Sequence, residues 1–495
     1  MSAAVGVPGR GAAAAGGVGD PTAVRRIHVV GVGGAGMSAI ATVLQAMGHE
    51  VSGSDLKEST VTERLRSVGI DVSIGHRADH VAGAALVTHS TAVTADNPEL
   101  VEARRLGVPV LSRAEALAGI AARRRCIAVA GTHGKTTTAS MLALILVEAG
   151  LHPSFLIGGD VNEIGTNAAW DTGEWIVVEA DESDGTFLHL VPDIAVVTNV
   201  EADHLDHYGS FDAVRTAFAE FLASARLRVV GSDDPEARAI GGTVGADLVG
   251  IVDGSTHTIA GVATGRSSVA FDLLGPDQDL VAHLSVSVPG LHNAKNAAVA
   301  AVAGLHAGAA PEAAARALAR FGGVARRFEF RGELDGVTYV DDYAHLPTEV
   351  RAALAAARNG AWARVVAVFQ PHRYSRTAEV GADFAGAFDD ADVVVLTDVY
   401  AAGEAPVPGV SGRLVVDAVA RARPDLELHY VPGRTDLVAE VAGILRPGDL
   451  CLTLGAGDLT SLPDELITHL SGDAVDRPGI PSGPLDDDIP PGPSS

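Results

Sequence analysis

Cys126-Ile-Ala-Val-Ala130-Gly131-Thr132-His133-Gly134-Lys135-Thr136-Thr137-Thr138 passes from a short apolar run through a glycine-bounded turn into an apolar helical stretch. Glycines at 131 and 134 let backbone N–H groups face phosphate oxygens. Lys135 can reach the β- and γ-phosphates of a nucleotide, and the Thr136 hydroxyl can ligate Mg²⁺. The loop is a shortened form of the usual phosphate loop, with Val129 where the longer pattern carries Gly. Only Lys57, Lys135 and Lys295 are lysines in a chain with 36 basic residues. A lysine kept at this position suits phosphate, for which a compact point charge serves well. A strand, a phosphate loop and a helix in that order predict an α/β domain that binds a nucleoside triphosphate.

Outward from this unit the same alternation repeats. Ile27–Gly31, Trp175–Glu179, Ile194–Asn199, Val365–Gln370, Val393–Asp398 and Leu450–Gly455 read as buried strands between Ala-rich helical stretches. This pattern predicts parallel α/β sheets. The 495 residues suit roughly three domains of about 150 residues each. The expected divisions are 24–118, 119–325 and 326–471, with disordered tails at 1–23 and 472–495. Residues 232–290, poorer in helix signal, read as a β-rich insertion.

Gly31-Val-Gly33-Gly34-Ala-Gly36-Met37-Ser38 follows the first strand and matches G-x-G-x-x-G, a pyrophosphate site at a helix start. Asp55 ends the next strand, near the distance of a ribose-binding acid. NAD and other nucleoside diphosphates fit these residues equally. In the middle segment Glu179 is placed for Mg²⁺, while Glu182 and Asp184 read as a solvated acidic turn. His204, clustered with Asn199 and Asp203, reads as a second metal ligand or a phosphate contact. Asn293 and Asn296 open a helix, where amides can read a purine edge or brace the loop, although Asn is also a common cap. In the last segment Asp341, Asp342, Tyr343 and His345 share one strand end, and His372, Arg373 and Arg376 follow another. Arginines at i and i+3 on one face can hold a carboxylate.

The net charge of −26 disfavours nucleic acid and anionic membranes as partners. Cys126 and Cys451 sit in apolar runs and read as buried thiols in a reducing compartment. Neither a secretory leader nor an apolar run near 20 residues is visible, which predicts a soluble cytoplasmic protein without membrane insertion.

The phosphate loop, Glu179-Ala-Asp-Glu-Ser-Asp184, Thr198-Asn-Val-Glu-Ala-Asp-His204, Gly290-Leu-His-Asn293, Asp341-Asp-Tyr-Ala-His345 and Phe369-Gln-Pro-His-Arg373 resemble, in order, the motifs of the Mur ligases. The glycine-rich Gly31–Ser38 run resembles that family's UDP-sugar domain. The resemblance covers about residues 25–470 and is nearest to members that join L-alanine to UDP-N-acetylmuramate through an acyl phosphate, using ATP and Mg²⁺. It implies a Rossmann-like UDP-binding domain, a central P-loop-type ATPase α/β domain and a C-terminal Rossmann-like domain. It implies that Gly31, Gly33, Gly34, Gly36, Met37, Ser38 and Asp55 bind the UDP-sugar. Gly131, Thr132, His133, Gly134, Lys135, Thr136 and Thr137 would bind ATP with His292, Asn293, Asn296, Arg327 (or Arg326) and Asp342. Thr136, Glu179 and His204 would serve the metal. Tyr343, His345, His372, Arg373 and Arg376 would frame the alanine, with Lys135, His204, His345 and Arg373 catalytic. It leaves a homodimer open.

Two departures stand out. Leu346 replaces a second histidine of the family pattern, and no lysine lies between Lys135 and Lys295 to be carbamylated as in sister ligases. Three rivals remain on sequence: a ligase adding a preformed peptide to the same sugar, a folate-type polyglutamate ligase, and a regulator sensing NAD through Gly31–Gly36.

Overall fold

The computed structural model describes residues 25–472 except Asn162 and Ala361. The expected tails lie outside the described residues, apart from Gly472, which ends the helix Leu462–Gly472. Apolar, β-branched runs fill the sheet centres, as strands buried on both faces require. Val29, Val129, Val177, Val196 and Val394 are all fully buried.

The first sheet has strands β1 (Arg26–Val30), β2 (Glu50–Asp55), β3 (Asp71–Ile74), β4 (Leu86–His89) and β5 (Val110–Ser112). Their order is β3-β2-β1-β4-β5, all parallel. The order reverses beside β1, so the glycine loop after β1 lies at the topological switch point.

The second sheet has β6 (Arg125–Ala130), β7 (Ser154–Val161), β8 (Thr166–Ala169), β9 (Trp175–Glu179), β10 (Ile194–Val197), β11 (Leu227–Gly231), β12 (Asp247–Gly250), β13 (His257–Thr264), β14 (Val269–Leu274) and β15 (Leu280–Val286). Their order is β15-β14-β13-β12-β11-β10-β6-β9-β7-β8. The expectation of parallel sheets needs correcting at the margins. β13, β14 and β15 pair antiparallel, as do β7 and β8, because short turns join them without a crossover helix. Residues 232–290 are not purely β-rich either. Pro235–Val244 is a helix, started by Pro235 at its first position and capped by Asp234, which accepts from the Ala237 N–H at 2.7 Å.

These two sheets form one compact unit that reaches Arg327, and a second unit begins at Phe328. The expected division at 118 falls inside the helix Arg113–Ala121. One apolar cluster runs from Val29 and Ile40 to Ala128, Ile176 and Phe221, so the two sheets share a continuous core. The second unit holds β16 (Glu329–Leu334), β17 (Val337–Asp342), β18 (Arg364–Phe369), β19 (Val393–Leu396), β20 (Glu427–Tyr430) and β21 (Asp449–Leu454). They are ordered β16-β17-β21-β18-β19-β20, with only β16 antiparallel. Cys126 and Cys451 are buried free thiols, pushed up to about 12 by burial. No helix among the described residues is long and apolar enough to cross a membrane.

Beneath the first sheet lies a fully buried carboxylate, Glu99. It accepts from the Ser54 hydroxyl at 2.6 Å, and His80 and His76 lie 2.6 and 3.1 Å from it. His28 approaches to 3.8 Å, an electrostatic contact rather than a hydrogen bond. Burial alone would push this carboxyl up, but His28, Ser54 and His80 outweigh it and hold it at about 2. Its folded value lies below the ordinary 4.5, so its stabilisation is complete above about pH 4.5 and fades as pH falls towards 2. Glu99→Gln is therefore expected to lower stability by about 3 kcal/mol at pH 7. Denaturant titrations of both proteins check this, because the gap must shrink at pH 3.

Candidate active site

The phosphate loop joins β6 to the helix Lys135–Glu148, whose first turn has no side-chain cap and no acidic residue. Such a helix start offers its N–H groups to an anion. Gly131 has φ +133°, and a Cβ there would lie 3.0 Å from the Thr198 nitrogen and 3.1 Å from that of Asn199. Only glycine fits, because the loop is pressed against the end of β10. Asn199 holds it there, accepting from the His133 N–H at 2.8 Å and donating to the His133 carbonyl at 3.0 Å. Thr132 accepts from the Glu201 N–H at 2.9 Å, and the His133 ring lies 3.2 Å from Glu201. Thr137 is buried behind the loop.

Lys135 Nζ donates to the Gly131 carbonyl at 2.8 Å and to Glu182 Oε1 at 2.7 Å. Burial pulls its pKa down, but Glu182, Asp181 and Glu179 outweigh burial and the net shift is upward, so the ammonium stays charged. Burial pushes the Glu182 carboxyl up, Lys135 pulls it back, and the net direction is up. The Thr136 hydroxyl donates to Glu179 Oε1 at 2.8 Å, and the Gly158 N–H donates to Glu179 Oε2 at 2.6 Å. Thr136, in the first turn of the helix, and Glu179, at the end of β9, thus stand together as hard oxygen donors that fit Mg²⁺. Among the described residues no three His, Cys, Asp or Glu side chains gather as a metal cage. An ion held by one carboxylate, one hydroxyl and substrate phosphates needs none.

His204 has φ +56° and starts the short helix Leu205–Tyr208, with its Nε2 3.3 Å from Asp203. The acidic turn departs from expectation. Glu182 is 3% exposed and pairs with Lys135, and Asp184 pairs with Arg113 at 2.8 Å. Two cations distant in sequence converge on the turn and draw it out of solvent. Arg113, Asp181 and Glu182 are residues that sequence reasoning missed.

The helix Leu291–His306 carries the amide pair. Asn296 lies over Gly134, whose added Cβ would sit 2.6 Å from its Oδ1. Asn293 is buried and donates to the Pro289 carbonyl at 2.7 Å. Burial, with the charges of Arg327 and Lys295, holds His292 down at about 4, leaving it neutral at pH 7.

In the first sheet Gly31 has φ +76°, and Gly34 caps the helix Ala35–Ala46, which contains Gly36, Met37 and Ser38. Asp55 accepts from the Gly33 N–H at 2.8 Å, so it braces the glycine loop from the next strand.

In the second unit the ends of β17, β18 and β19 bring rings together. Tyr343 meets His345 edge-on at 5.4 Å, His345 meets His372 at 5.6 Å, and His372 stacks on Tyr400 at 5.8 Å. Burial, then His345, Arg376 and Arg373, holds His372 down at about 3. It is neutral, and its Nδ1 accepts from Arg376 at 3.2 Å. Arg373 and Arg376 do not share a helical face as expected. Arg373 precedes the helix Tyr374–Val380 at φ 69°, ψ 140°. Asp342 accepts from the Phe328 and Ala344 N–H groups, and Asp341 is buried against Thr453 and Thr460. Leu346 is buried, so an apolar contact stands at the position of the absent second histidine.

Three family models match in order: Mur ligase family, catalytic domain, at residues 26–125; Mur ligase middle domain at 129–304; and Mur ligase, glutamate ligase domain, at 326–457. A UDP-N-acetylmuramate–L-alanine ligase of Rhizobium meliloti is 45% identical, covering 91% of this chain and 99% of that protein. One of Rubrobacter xylanophilus is 46% identical, covering 90% and 100%. The crystal structure of UDP-N-acetylmuramate-alanine ligase MurC from Thermotoga maritima matches with a TM-score of 0.76 at 30% identity, covering 91% of this chain and 100% of that one. A murein peptide ligase from Psychrobacter arcticus matches with 0.66 at 25% identity, covering 90% and 98%. With matches along nearly its whole length, the chain belongs to the Mur ligase family.

Proposed function

We propose that this chain ligates L-alanine to the carboxylate of UDP-N-acetylmuramate, converting ATP to ADP and phosphate. The near-full-length likeness to two ligases of that name supports the substrates. The observation that carries the chemistry is the phosphate loop, with Lys135 charged beside it and Thr136 paired to Glu179. In this reading Gly131–Thr137, His292, Asn293, Asn296 and Arg327 serve ATP. Thr136 and Glu179 would hold Mg²⁺ with His204, whose ring lies 3.3 Å from Asp203, as carboxylates orient metal-ligating histidines. Gly31–Ser38 and Asp55 hold the sugar nucleotide, and Tyr343, His345, His372, Arg373 and Arg376 hold the amino acid. A reaction that consumes ATP fits the cytoplasm.

A carboxylate resists attack because its charge repels a nucleophile. Its oxygen bonds to the γ-phosphorus of ATP, the bond to the ADP oxygen breaks, and an acyl phosphate results. Lys135 neutralises charge on the transferring group. Mg²⁺, when bound, does the same at the phosphoryl oxygens. The amine of alanine then bonds to the acyl carbon, and phosphate leaves. His345 takes the amine proton: its Nδ1 donates to the Tyr343 carbonyl at 3.0 Å and lies 3.3 Å from Glu349, which leaves Nε2 as the nitrogen that receives it.

Phosphate release from ATP, measured with UDP-N-acetylmuramate with and without L-alanine, tests the reading. Release that requires both substrates is expected. The likeness to the murein peptide ligase supplies the second reading, and release only with a peptide in place of alanine would establish it.

A further inference from the structure

Arg113 stands where the two sheets of the first unit meet. It opens the helix Arg113–Ala121, which Ser112 and Glu115 cap reciprocally. Among the described residues, every hydrogen bond of its guanidinium leaves from Nη2. The acceptors are Asp184 at 2.8 Å, Asp181 at 3.3 Å and Thr186 at 3.4 Å. The Nε–H is buried without an acceptor. Nη1 turns towards the start of the helix Ala35–Ala46. A Cβ added to Gly36 would lie 3.3 Å from Nη1 and 3.6 Å from the Arg113 Cδ. The last glycine of the G-x-G-x-x-G pattern is thus the place where a guanidinium lies over the first helical turn.

That helix start has no side-chain cap and no acidic residue. A diphosphate there would meet the helix N–H groups and the Nη1 group of Arg113, a charged donor for phosphate oxygens. Nη2 is fixed by Asp181 and Asp184, and their neighbour Glu182 holds Lys135 of the phosphate loop. One acidic loop therefore grips a cation from each of the two sites.

We propose that Arg113 binds the diphosphate of the sugar nucleotide through its Nη1 group. Its anchorage on Asp181 and Asp184 keeps that diphosphate in register with the loop carrying Lys135. The proposal rests on the reading of Gly31–Ser38 as the sugar-nucleotide site.

The test compares binding of UDP, uridine and ADP to the full-length wild type, Arg113→Met and Arg113→Lys, by calorimetry and ligand-observed NMR. Arg113→Met is expected to weaken UDP at least about tenfold, and uridine and ADP less than about twofold, since a charge-assisted bond is worth about 1.5–3 kcal/mol. Arg113→Lys, which keeps the charge but cannot hold Asp184 with one nitrogen and phosphate with another, is expected to weaken UDP about threefold to tenfold. UDP binding unchanged in both variants overturns the role of Arg113, as does an equal loss for UDP and uridine. Should Arg113→Met fail to fold, the UDP-to-uridine ratio in Arg113→Lys decides. A wild type that binds ADP but neither UDP nor uridine refutes the sugar-nucleotide reading itself, and the role of Arg113 falls with it.

Discussion

Lys135→Ala is expected to cut phosphate release by about 10³-fold or more and, in the same protein, to lower stability by about 3 kcal/mol. The first effect follows from charge. The transferring phosphoryl group gathers negative charge in a site walled by Glu179, Asp181 and Glu182, and Lys135 is the loop's own cation. The second follows from burial. Glu182 is 3% exposed and its Oε2 already lacks a hydrogen-bond partner, so removing the ammonium leaves a carboxylate with little solvent and no counter-ion beside it. The two effects separate in a double variant. Lys135→Ala with Glu182→Ala should recover most of the lost stability and none of the activity. Denaturant titration and phosphate release, run on the wild type, both single variants and the double variant, provide the check. Recovery of both together would mean that Lys135 acts through the fold and not on phosphate.

Arg373→Gly is expected to move stability and activity in opposite directions. Arg373 holds φ 69°, ψ 140°, a region that side-chain-bearing residues enter at a cost of about 1–3 kcal/mol. It is kept there by its N–H bond to the Tyr400 carbonyl at 2.8 Å, beside the stacked His372 and Tyr400 rings. Glycine enters that region freely but also loosens the unfolded chain by about 0.5–1 kcal/mol, so the net gain is about 1 kcal/mol. Turnover should fall about a hundredfold with the loss of the guanidinium. Arg373→Ala separates the causes: it loses the same turnover and gains no stability. A glycine variant less stable than the alanine variant would refute the strain argument.

The buried strands were legible because Val- and Ile-rich runs bounded by Gly or acidic residues have few other readings. Trp175–Glu179 matches β9 end to end. The phosphate loop was legible because Gly131, Gly134, Lys135 and Thr136 fall within one short run. Antiparallel edges were missed although the short turns at Gly265 and at Gly275-Pro-Asp-Gln-Asp279 mark hairpins, because the α/β alternation elsewhere outweighed them. The helix Pro235–Val244 did carry its signal in Asp234-Pro235-Glu236, and the alternation around it masked that signal. Glu182 and Asp184 were misjudged for a different reason. An acidic run looks solvated until its counter-ions are known, and those come from Lys135 and from Arg113, which belongs to the first sheet's connections. Burial of charge is a property of partners, and sequence spacing does not show partners 47 or 71 residues away.

The grip on Lys135 also makes the chain a convenient subject for chemical footprinting. With three lysines in all, acylating reagents have three ε-amines to attack. Lys57 is exposed, Lys295 lies 3.4 Å from Asp233, and Lys135 is engaged on two sides with its pKa raised, which starves it of the neutral amine that reacts. Adduct masses at these positions, followed as nucleotide is added, would report occupancy of the phosphate loop without any label being engineered into the protein.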